Sequence, residues 1–254
     1  MRLAGKRVLI TGTGTVGGQG DAAQTMFAQE GARIVGCDVQ PGAAEETAAK
    51  LRRDGHDVTA TTLDLTDAEA TERWVHDAAA QLGGIDVLYN NAARAGFAPF
   101  AEMTLQLWRQ VIHGELDIVF HTVRPAWEHL VRSGRGSVIN TASMSGVRGI
   151  APLGQAAHAA AKGGVIGLTK TLAAEGAEHG IRANAISPGF VKTPSTDAFV
   201  GDELRAFQLS MHMIRRPGLG EDIAPLAVYL ASDESSWVTG QNYSVDGGVT
   251  AGFR

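Results

Sequence analysis

Short apolar runs alternate along this chain with longer segments whose apolar residues recur at helical spacing. The apolar runs are RVLI (7–10), RIVGC (33–37), DVLY (86–89), SVIN (137–140) and RANAI (182–186). The longer segments include 21–30, 67–82, 104–131 and 155–178. Strands that alternate with helices form βαβ units, in which the strands run parallel. The pattern therefore predicts an α/β fold with a doubly wound parallel sheet and helices on both of its faces.

Length and composition favour a single domain. The chain has 254 residues, of which 44% are hydrophobic, and this is enough to bury a sizeable core in one α/β unit. No low-complexity linker divides it. Segment 190–220 mixes turn residues with short apolar patches, and a long segment of this kind after a strand is either a lid or a surface excursion. Its apolar residues favour a substrate lid.

Charge and cysteine content narrow the possible partners. The formal net charge of -5 arises from residues scattered without long runs, so neither nucleic acid nor a membrane surface is indicated as a partner.

Cys37 is the only cysteine, which excludes an intrachain disulfide and a cysteine metal cluster. We expect a buried strand thiol there, and no metal site. No stretch approaches the roughly 18 apolar residues of a membrane span, so a cytoplasmic protein is expected.

A glycine-rich segment, TGTGTVGGQG (11–20), follows the first predicted strand and precedes a helix. Glycines at such a place allow backbone N–H groups to approach a pyrophosphate, which the positive end of the helix dipole also favours. Asp38 ends the second predicted strand, 18 residues after Gly20. A carboxylate there can accept hydrogen bonds from both hydroxyls of an adenosine ribose and would repel a 2′-phosphate. The pair predicts NAD as the cofactor in preference to NADP.

Six ordered motifs resemble those of the short-chain dehydrogenase/reductase family over essentially the whole chain. They begin with Thr-Gly-x-x-x-Gly-x-Gly at Thr13, Gly14, Gly18 and Gly20; the others are LDLTD with Asp64, NNAA (90–93), INTASMSG with HAAAK, SPGFVKT, and TGQNYSVDGG. The resemblance implies a Rossmann-like sheet of about seven strands, so that residues 1–254 form one NAD-binding domain. It also implies a homotetramer, because YSVDGGVTAGFR resembles the tail that packs between subunits in the family.

The first motif leaves two registers open. Strand spacing from GKRVLI places the Thr-Gly pair at Thr11 and Gly12, whereas the three-glycine pattern is restored only from Thr13. Gly12 and Gly14 are therefore both candidates. The family resemblance assigns the cofactor to a set of residues contributed by loops along the whole chain. These are Gly12, Gly14, Gly18, Gly20, Asp38, Asp64, Asn91, Ala92, Lys162, Pro188, Gly189 and Thr193.

The catalytic motif contains a substitution. The family uses a serine that hydrogen-bonds the substrate oxygen, a tyrosine that exchanges its proton, and a lysine four residues after the tyrosine. The matching positions here are Ser143, His158 and Lys162. Unperturbed tyrosine titrates at about 10 and imidazole at about 6.5, so a neutral imidazole can accept a proton from an alcohol without a shift. We expect His158 to act as the proton carrier.

A fourth family position, an asparagine that holds a water near the lysine, falls on Glu115. No asparagine occurs from 92 to 139. Either the negatively charged side chain of Glu115 holds this water, or the proton relay is rearranged, or Glu115 is an exposed helical glutamate.

These residues predict an NAD-dependent oxidoreductase that interconverts a small alcohol and a carbonyl compound. Two alternatives stay open: a lyase or isomerase in which His158 moves a proton and NAD is structural, and an NAD-binding subunit without activity.

Overall fold

The computed structural model describes residues 1–151 and 153–252, apart from the side chains at 195, 198 and 199. Its seven strands form one sheet in the order β3-β2-β1-β4-β5-β6-β7, and every pairing is parallel. The strands are β1 (Arg7–Thr11), β2 (Arg33–Asp38), β3 (Val58–Thr62), β4 (Val87–Asn90), β5 (Ser137–Thr141), β6 (Arg182–Pro188) and β7 (Asn242–Val245). This confirms the predicted doubly wound α/β fold.

Nine α-helices occur within the described part of the chain. They are α1 (Gln19–Gln29), α2 (Ala43–Arg53), α3 (Ala68–Leu82), α4 (Leu105–Ile112), α5 (Ile118–Ser133), α6 (Ala156–Gly176), α7 (Pro194–Phe199), α8 (Asp202–Met211) and α9 (Gly220–Ala231). Strand side chains alternate between the two faces of the sheet. Leu9 thus packs with residues of α3, α5 and α6, while Val8 and Ile10 pack with residues of α1, α2 and α9.

The two strands without an apolar run in the sequence, β3 and β7, are the edges of the sheet. Their side chains are mostly half-buried or exposed, so they do not need the continuous apolar sequence of a central parallel strand. The five predicted runs correspond to β1, β2, β4, β5 and β6. Cys37 is buried in β2 as expected, and burial raises the pKa of its thiol.

Segment 104–131 was expected to be one continuous helix, and this is wrong. A π-helical turn, His113–Asp117, separates α4 from α5. In a π-helical turn each backbone hydrogen bond spans one more residue than in an α-helix, and such turns occur frequently at functional sites. The turn contains Glu115.

The carboxyl ends of the parallel strands meet along one edge of the sheet, where ligands of open α/β folds bind. Thr11, Asp38, Asn90, Thr141 and Pro188 end their strands there. The direction in which successive strands are added to the sheet reverses between β1 and β4. Strands β2 and β3 lie on one side of β1, and β4 to β7 lie on the other.

Segment 190–220 passes over this edge as α7 and α8 and returns through a bridge between Val191 and Gly218. That it acts as a lid stays a prediction. None of the helices in the described range is both long and apolar enough to cross a membrane.

Candidate active site

A cavity of about 270 Å³ lies at the switch point between β1 and β4. Its walls come from the loops that follow the first four strands and from the π-helical turn. Predicted cofactor residues that line it are Gly12, Gly18, Gly20, Asp38, Asp64, Asn91, Ala92 and Thr193. We call this space the dinucleotide cavity.

Neither of the two glycine positions that the sequence left as alternatives has room for a Cβ. Gly12 has φ +75°, and a Cβ there would lie 2.9 Å from Cα of Ala92. A Cβ at Gly14 would lie 2.8 Å from Cβ of Asp38, and one at Gly20 would collide with the carbonyl oxygen of Gly12. Gly12 lines the cavity, whereas Gly14 is not among its lining residues and contacts Asp38. The turn thus uses glycine at both positions.

Helix α1 points its amino end into this cavity. Gly18 is its N-cap and provides no side-chain cap, which leaves first-turn N–H groups open to an anion. Asp38, at the carboxyl end of β2, is nearly buried and accepts hydrogen bonds from the backbone N–H of Gly14 (2.8 Å) and of Gln40 (3.0 Å). The carboxylate is thereby held in place at the wall of the cavity.

Two loops close the rest of the cavity. Asn91 donates from Nδ2 to the carbonyl oxygens of Thr11 and Gly12, both at 3.2 Å, and the N–H of Ala92 donates to Oγ1 of Thr11 at 3.0 Å. Burial favours a raised pKa of Asp64, but hydrogen bonds from Thr66 outweigh it and lower the pKa of that carboxyl. Asp64 therefore stays anionic where it lines the cavity.

A second cavity of about 440 Å³ adjoins the first, because Gln19, Asn91 and Ala93 line both. It contains all four predicted catalytic residues, Ser143, His158, Lys162 and Glu115, together with Pro188 and Gly189. Residues of α7 and α8 form part of its wall. We call this space the substrate cavity.

A short polar contact in the substrate cavity joins His158 to Glu115. Nδ1 of His158 lies 2.8 Å from Oε2 and 3.0 Å from Oε1 of Glu115. The glutamate side chain is fully buried and the histidine side chain is 13% exposed. An imidazole that donates Nδ1–H to a carboxylate keeps Nε2 as the nitrogen that exchanges a proton with a ligand.

The contact depends on where the two elements cross. His158 lies in the first turn of α6, and Glu115 lies in the π-helical turn that packs against α6. Its burial excludes the reading of Glu115 as an exposed helical glutamate. Because the carboxylate of Glu115 contacts His158 directly, the geometry favours a rearranged proton relay. It favours less the alternative in which Glu115 holds a water near Lys162.

Lys162 lies one turn after His158 on α6 and is buried. Its Nζ donates to the carbonyl oxygen of Thr141 at 2.9 Å. Burial lowers the pKa of Lys162, and the negative charge of Glu115 opposes this by raising it. The lysine is thus held between the end of β5 and the His158–Glu115 pair.

Ser143 follows β5 and caps a short 3₁₀ turn, where its Oγ accepts a hydrogen bond from the N–H of Ser145 at 3.1 Å. A hydroxyl that accepts one bond can still donate its proton to a ligand oxygen. Ser143 and His158 therefore both face the substrate cavity with polar atoms available.

The loop after β6 connects the two cavities. Pro188 ends the strand, and the N–H of Gly189 donates to the carbonyl oxygen of Val245 at 3.0 Å. Thr193 lines the dinucleotide cavity and also caps α7, because its Oγ1 accepts from the N–H of Thr196 at 3.1 Å. Thr193 thus lines the dinucleotide cavity and also caps the first helix of segment 190–220.

Sequence reasoning did not find Gln19 and Gln208, which both line the substrate cavity. Gln19 occupies the variable position between Gly18 and Gly20, so the motif could have indicated it. Gln208 lies in α8, where no motif marks a position, and its side-chain Oε1 has no hydrogen-bond partner.

Residues 14–250 match a family model described as enoyl-(acyl carrier protein) reductase. Two curated relatives cover almost the full length. The 3-oxoacyl-(acyl-carrier-protein) reductase FabG of Thermotoga maritima is 37% identical over 98% of this chain and 99% of its own. Meso-2,3-butanediol dehydrogenase of Serratia marcescens is 36% identical over 99% of this chain and 97% of its own.

Solved structures agree with this match. A chain described as a putative short-chain dehydrogenase/reductase from Burkholderia xenovorans has a TM-score of 0.93 and 32% identity, and the match covers 100% of this chain and 99% of that one. A putative NAD(P)-dependent gluconate 5-dehydrogenase from Beutenbergia cavernae, with bound NADP at low occupancy, has a TM-score of 0.92 and 35% identity over 98% of each chain.

Proposed function

The chain belongs to the short-chain dehydrogenase/reductase family and is an oxidoreductase, and on that premise we propose that it interconverts a small alcohol and a ketone or aldehyde with NAD. The proton carrier is His158 in place of the family's tyrosine. The contact of His158 with the buried carboxylate of Glu115 carries this proposal, because it leaves Nε2 for the substrate.

A nicotinamide dinucleotide fits the residues present. The glycine turn provides a cradle that a Cβ would fill, α1 offers uncapped N–H groups, and Asp38 stands at the ribose end. Gln19 has a buried Oε1 without a partner where the two cavities join. When bound, the nicotinamide ring accepts or returns the hydride. Lys162 would hold the adjoining ribose.

During oxidation, Oγ of Ser143 hydrogen-bonds the alcohol oxygen and orients it towards His158. Nε2 of His158 accepts the hydroxyl proton as the carbon loses its hydride, so that the alcohol becomes a carbonyl compound. Glu115 keeps the Nδ1 hydrogen bond and stabilises the imidazolium that results. In the reverse direction Nε2 returns the proton to the oxygen.

The proposal is tested by incubating the protein with NAD and a set of small alcohols and following the nicotinamide absorbance. Formation of NADH supports it. A lyase or isomerase would consume substrate without that signal, and a subunit without activity would bind NAD and give neither. A structure with NAD and a ligand would show whether Nε2 reaches the substrate oxygen within roughly 3 Å.

Cofactor choice is expected to depend on Asp38. The wild-type protein should bind NAD at least about tenfold more tightly than NADP, because a 2′-phosphate would face this carboxylate. In Asp38→Ala the preference should largely disappear. Titration of both cofactors against both proteins measures this, and equal wild-type affinities would contradict the assignment.

Lys162 and Ser143 are expected to differ in their effects. Lys162→Ala should weaken NAD binding and turnover together by about tenfold, since the lysine holds the nicotinamide ribose. Ser143→Ala should lower turnover by about three- to tenfold and leave NAD binding unchanged, since the serine contacts only the substrate oxygen. The measurements are NAD titration and steady-state kinetics. Two variants that behave like the wild type would place the site elsewhere.

We also propose that residues 1–254 act as one NAD-binding domain with segment 190–220 as the substrate lid, in a cytoplasmic homotetramer. The exposed Trp237, which precedes the edge strand β7 in the sequence, supports a subunit contact in this region. The last two residues of the predicted contact tail, 253 and 254, lie outside the described residues.

A further inference from the structure

We propose that the substrate is an uncharged, mainly apolar molecule that carries a second hydroxyl group, away from the reacting carbon, which the side-chain amide of Gln208 binds. The inference rests on the proposed function in that it concerns the same cavity. It assigns a specificity-determining residue to helix α8.

The side-chain amide of Gln208 is buried without a hydrogen-bond partner for its oxygen. It is 5% exposed and lines the substrate cavity, and its Oε1 has no hydrogen-bond partner. A buried acceptor without a partner is costly, and a ligand that supplies the donor removes this cost. By contrast, Oε1 of Gln155, in the same wall, already accepts from Oγ of Ser145 at 2.8 Å.

The backbone at Gln208 is fixed in position. His212, which is 3% exposed, donates from Nδ1 to the carbonyl oxygen of Gln208 at 2.6 Å. This contact ties the last turn of α8 to the segment that follows it. The backbone that carries the amide is therefore held in place before a ligand binds.

The chemistry of the partner follows from the amide and from the charges around it. An amide offers one acceptor and two donors, and a hydroxyl can both donate to the first and accept from the second. The charged residues among the described lining are Glu115 and Lys162, besides the titratable His158. Glu115 already contacts His158, and Lys162 already contacts Thr141. Among the described lining residues, Lys162 is assigned above to the nicotinamide ribose and Glu115 to His158, so no charged side chain there is assigned to a carboxylate, phosphate or ammonium group of the substrate.

Much of the rest of the wall is apolar. It includes Phe97, Met144, Leu153, Phe190, Val191 and Leu204. A hydrocarbon skeleton between the two oxygens matches this surface. A site that hydrogen-bonds a substrate hydroxyl discriminates strongly against the analogue that lacks it, because its own polar group then stays unpaired.

The test compares cyclohexanol with the 1,2-, 1,3- and 1,4-cyclohexanediols, which share one skeleton and vary the distance between hydroxyls. Oxidation with NAD gives kcat/KM, and titration into the NAD-loaded protein gives binding without turnover. We expect at least one diol to exceed cyclohexanol by about tenfold or more in both measurements. In Gln208→Leu this ratio should fall below about threefold.

Gln208→Met, which keeps the length of the side chain, should give the same loss of preference. Glu203→Ala, an exposed position on the same helix, should keep the preference of the wild type. Without ligand, both Gln208 variants should melt at or above the wild-type temperature, since Oε1 makes no bond that they remove. A fall of several degrees in both would make the amide a structural group and overturn the inference.

The outcomes separate this inference from the proposed function. If cyclohexanol is oxidised and no diol is preferred, or if Gln208→Leu keeps the preference, the inference is wrong and the function stands. If the diol is bound in preference, through Gln208, and no alcohol yields NADH, the binding site stands and the proposed function falls.

Discussion

His158→Ala is expected to lower turnover by about 10²-fold or more, which is the usual cost of losing a general acid/base. Nε2 of His158 is the atom that we assign to the substrate proton, and the buried lysine in the same helix already donates to Thr141. NAD binding should change little, because the imidazole faces the substrate cavity and does not line the dinucleotide cavity. Steady-state kinetics and NAD titration on the same preparation measure the two effects.

The pH dependence of the wild-type protein gives the same assignment a second readout. Alcohol oxidation should rise with pH, because imidazolium must lose its proton before it can act as a base. Carbonyl reduction, which consumes that proton, should rise as pH falls. His158→Tyr should retain oxidation and displace its profile towards higher pH, since a phenol titrates at about 10.

Two results would contradict the role of His158. An alanine variant as active as the wild type would show that the histidine takes no part in catalysis. Activity confined to His158→Tyr would make this chain a disabled form of a tyrosine enzyme.

Glu115→Gln is expected to lower turnover by about 10- to 100-fold, a common effect for a group that orients another catalytic side chain. A glutamine can donate to Nδ1 of His158 and so place the proton on Nε2, which is then unable to act as a base. The loss of negative charge also destabilises the imidazolium, so oxidation should begin to rise at a lower pH. NAD binding and KM should change less than kcat.

The shift of the pH profile distinguishes positioning from a general structural effect. Asp117→Asn is the matched control, because that carboxylate lies in the same π-helical turn but contacts His113. It should leave the profile in place. In the double variant His158→Tyr, Glu115→Asn, which restores both family residues, turnover should exceed that of Glu115→Gln. An unshifted profile in Glu115→Gln would show that the carboxylate does not act on the histidine.

The sequence predicted the part of the fold that depends on burial. The central strands are covered on both faces, so they are continuous apolar runs, whereas β3 and β7 have side chains facing solvent and no such run. The π-helical turn was not predictable from three- and four-residue spacing. That spacing continues from α4 into α5, and only the hydrogen bonding shows the extra residue between them.

Motif spacing also marked Ser143, His158, Lys162 and Glu115, and the structure places these four around one cavity. The contact between His158 and Glu115 could not be predicted, because it joins residues 43 positions apart through the π-helical turn. Gln208 was missed for a related reason. An amide on a helix has no sequence signature, and its importance comes from the partners that it lacks in the folded state.

The strand order has a consequence for synthesis of the chain. Strands β1, β2 and β3 can pair as soon as residues 1–62 have emerged, but the other edge of β1 pairs with β4, whose strand ends at Asn90. Until then Val8, Leu9 and Ile10 present an apolar strand with unpaired N–H and C=O groups. A nascent chain that stops within this interval is expected to aggregate, and slower translation of residues 63–90 should lengthen its dependence on chaperones.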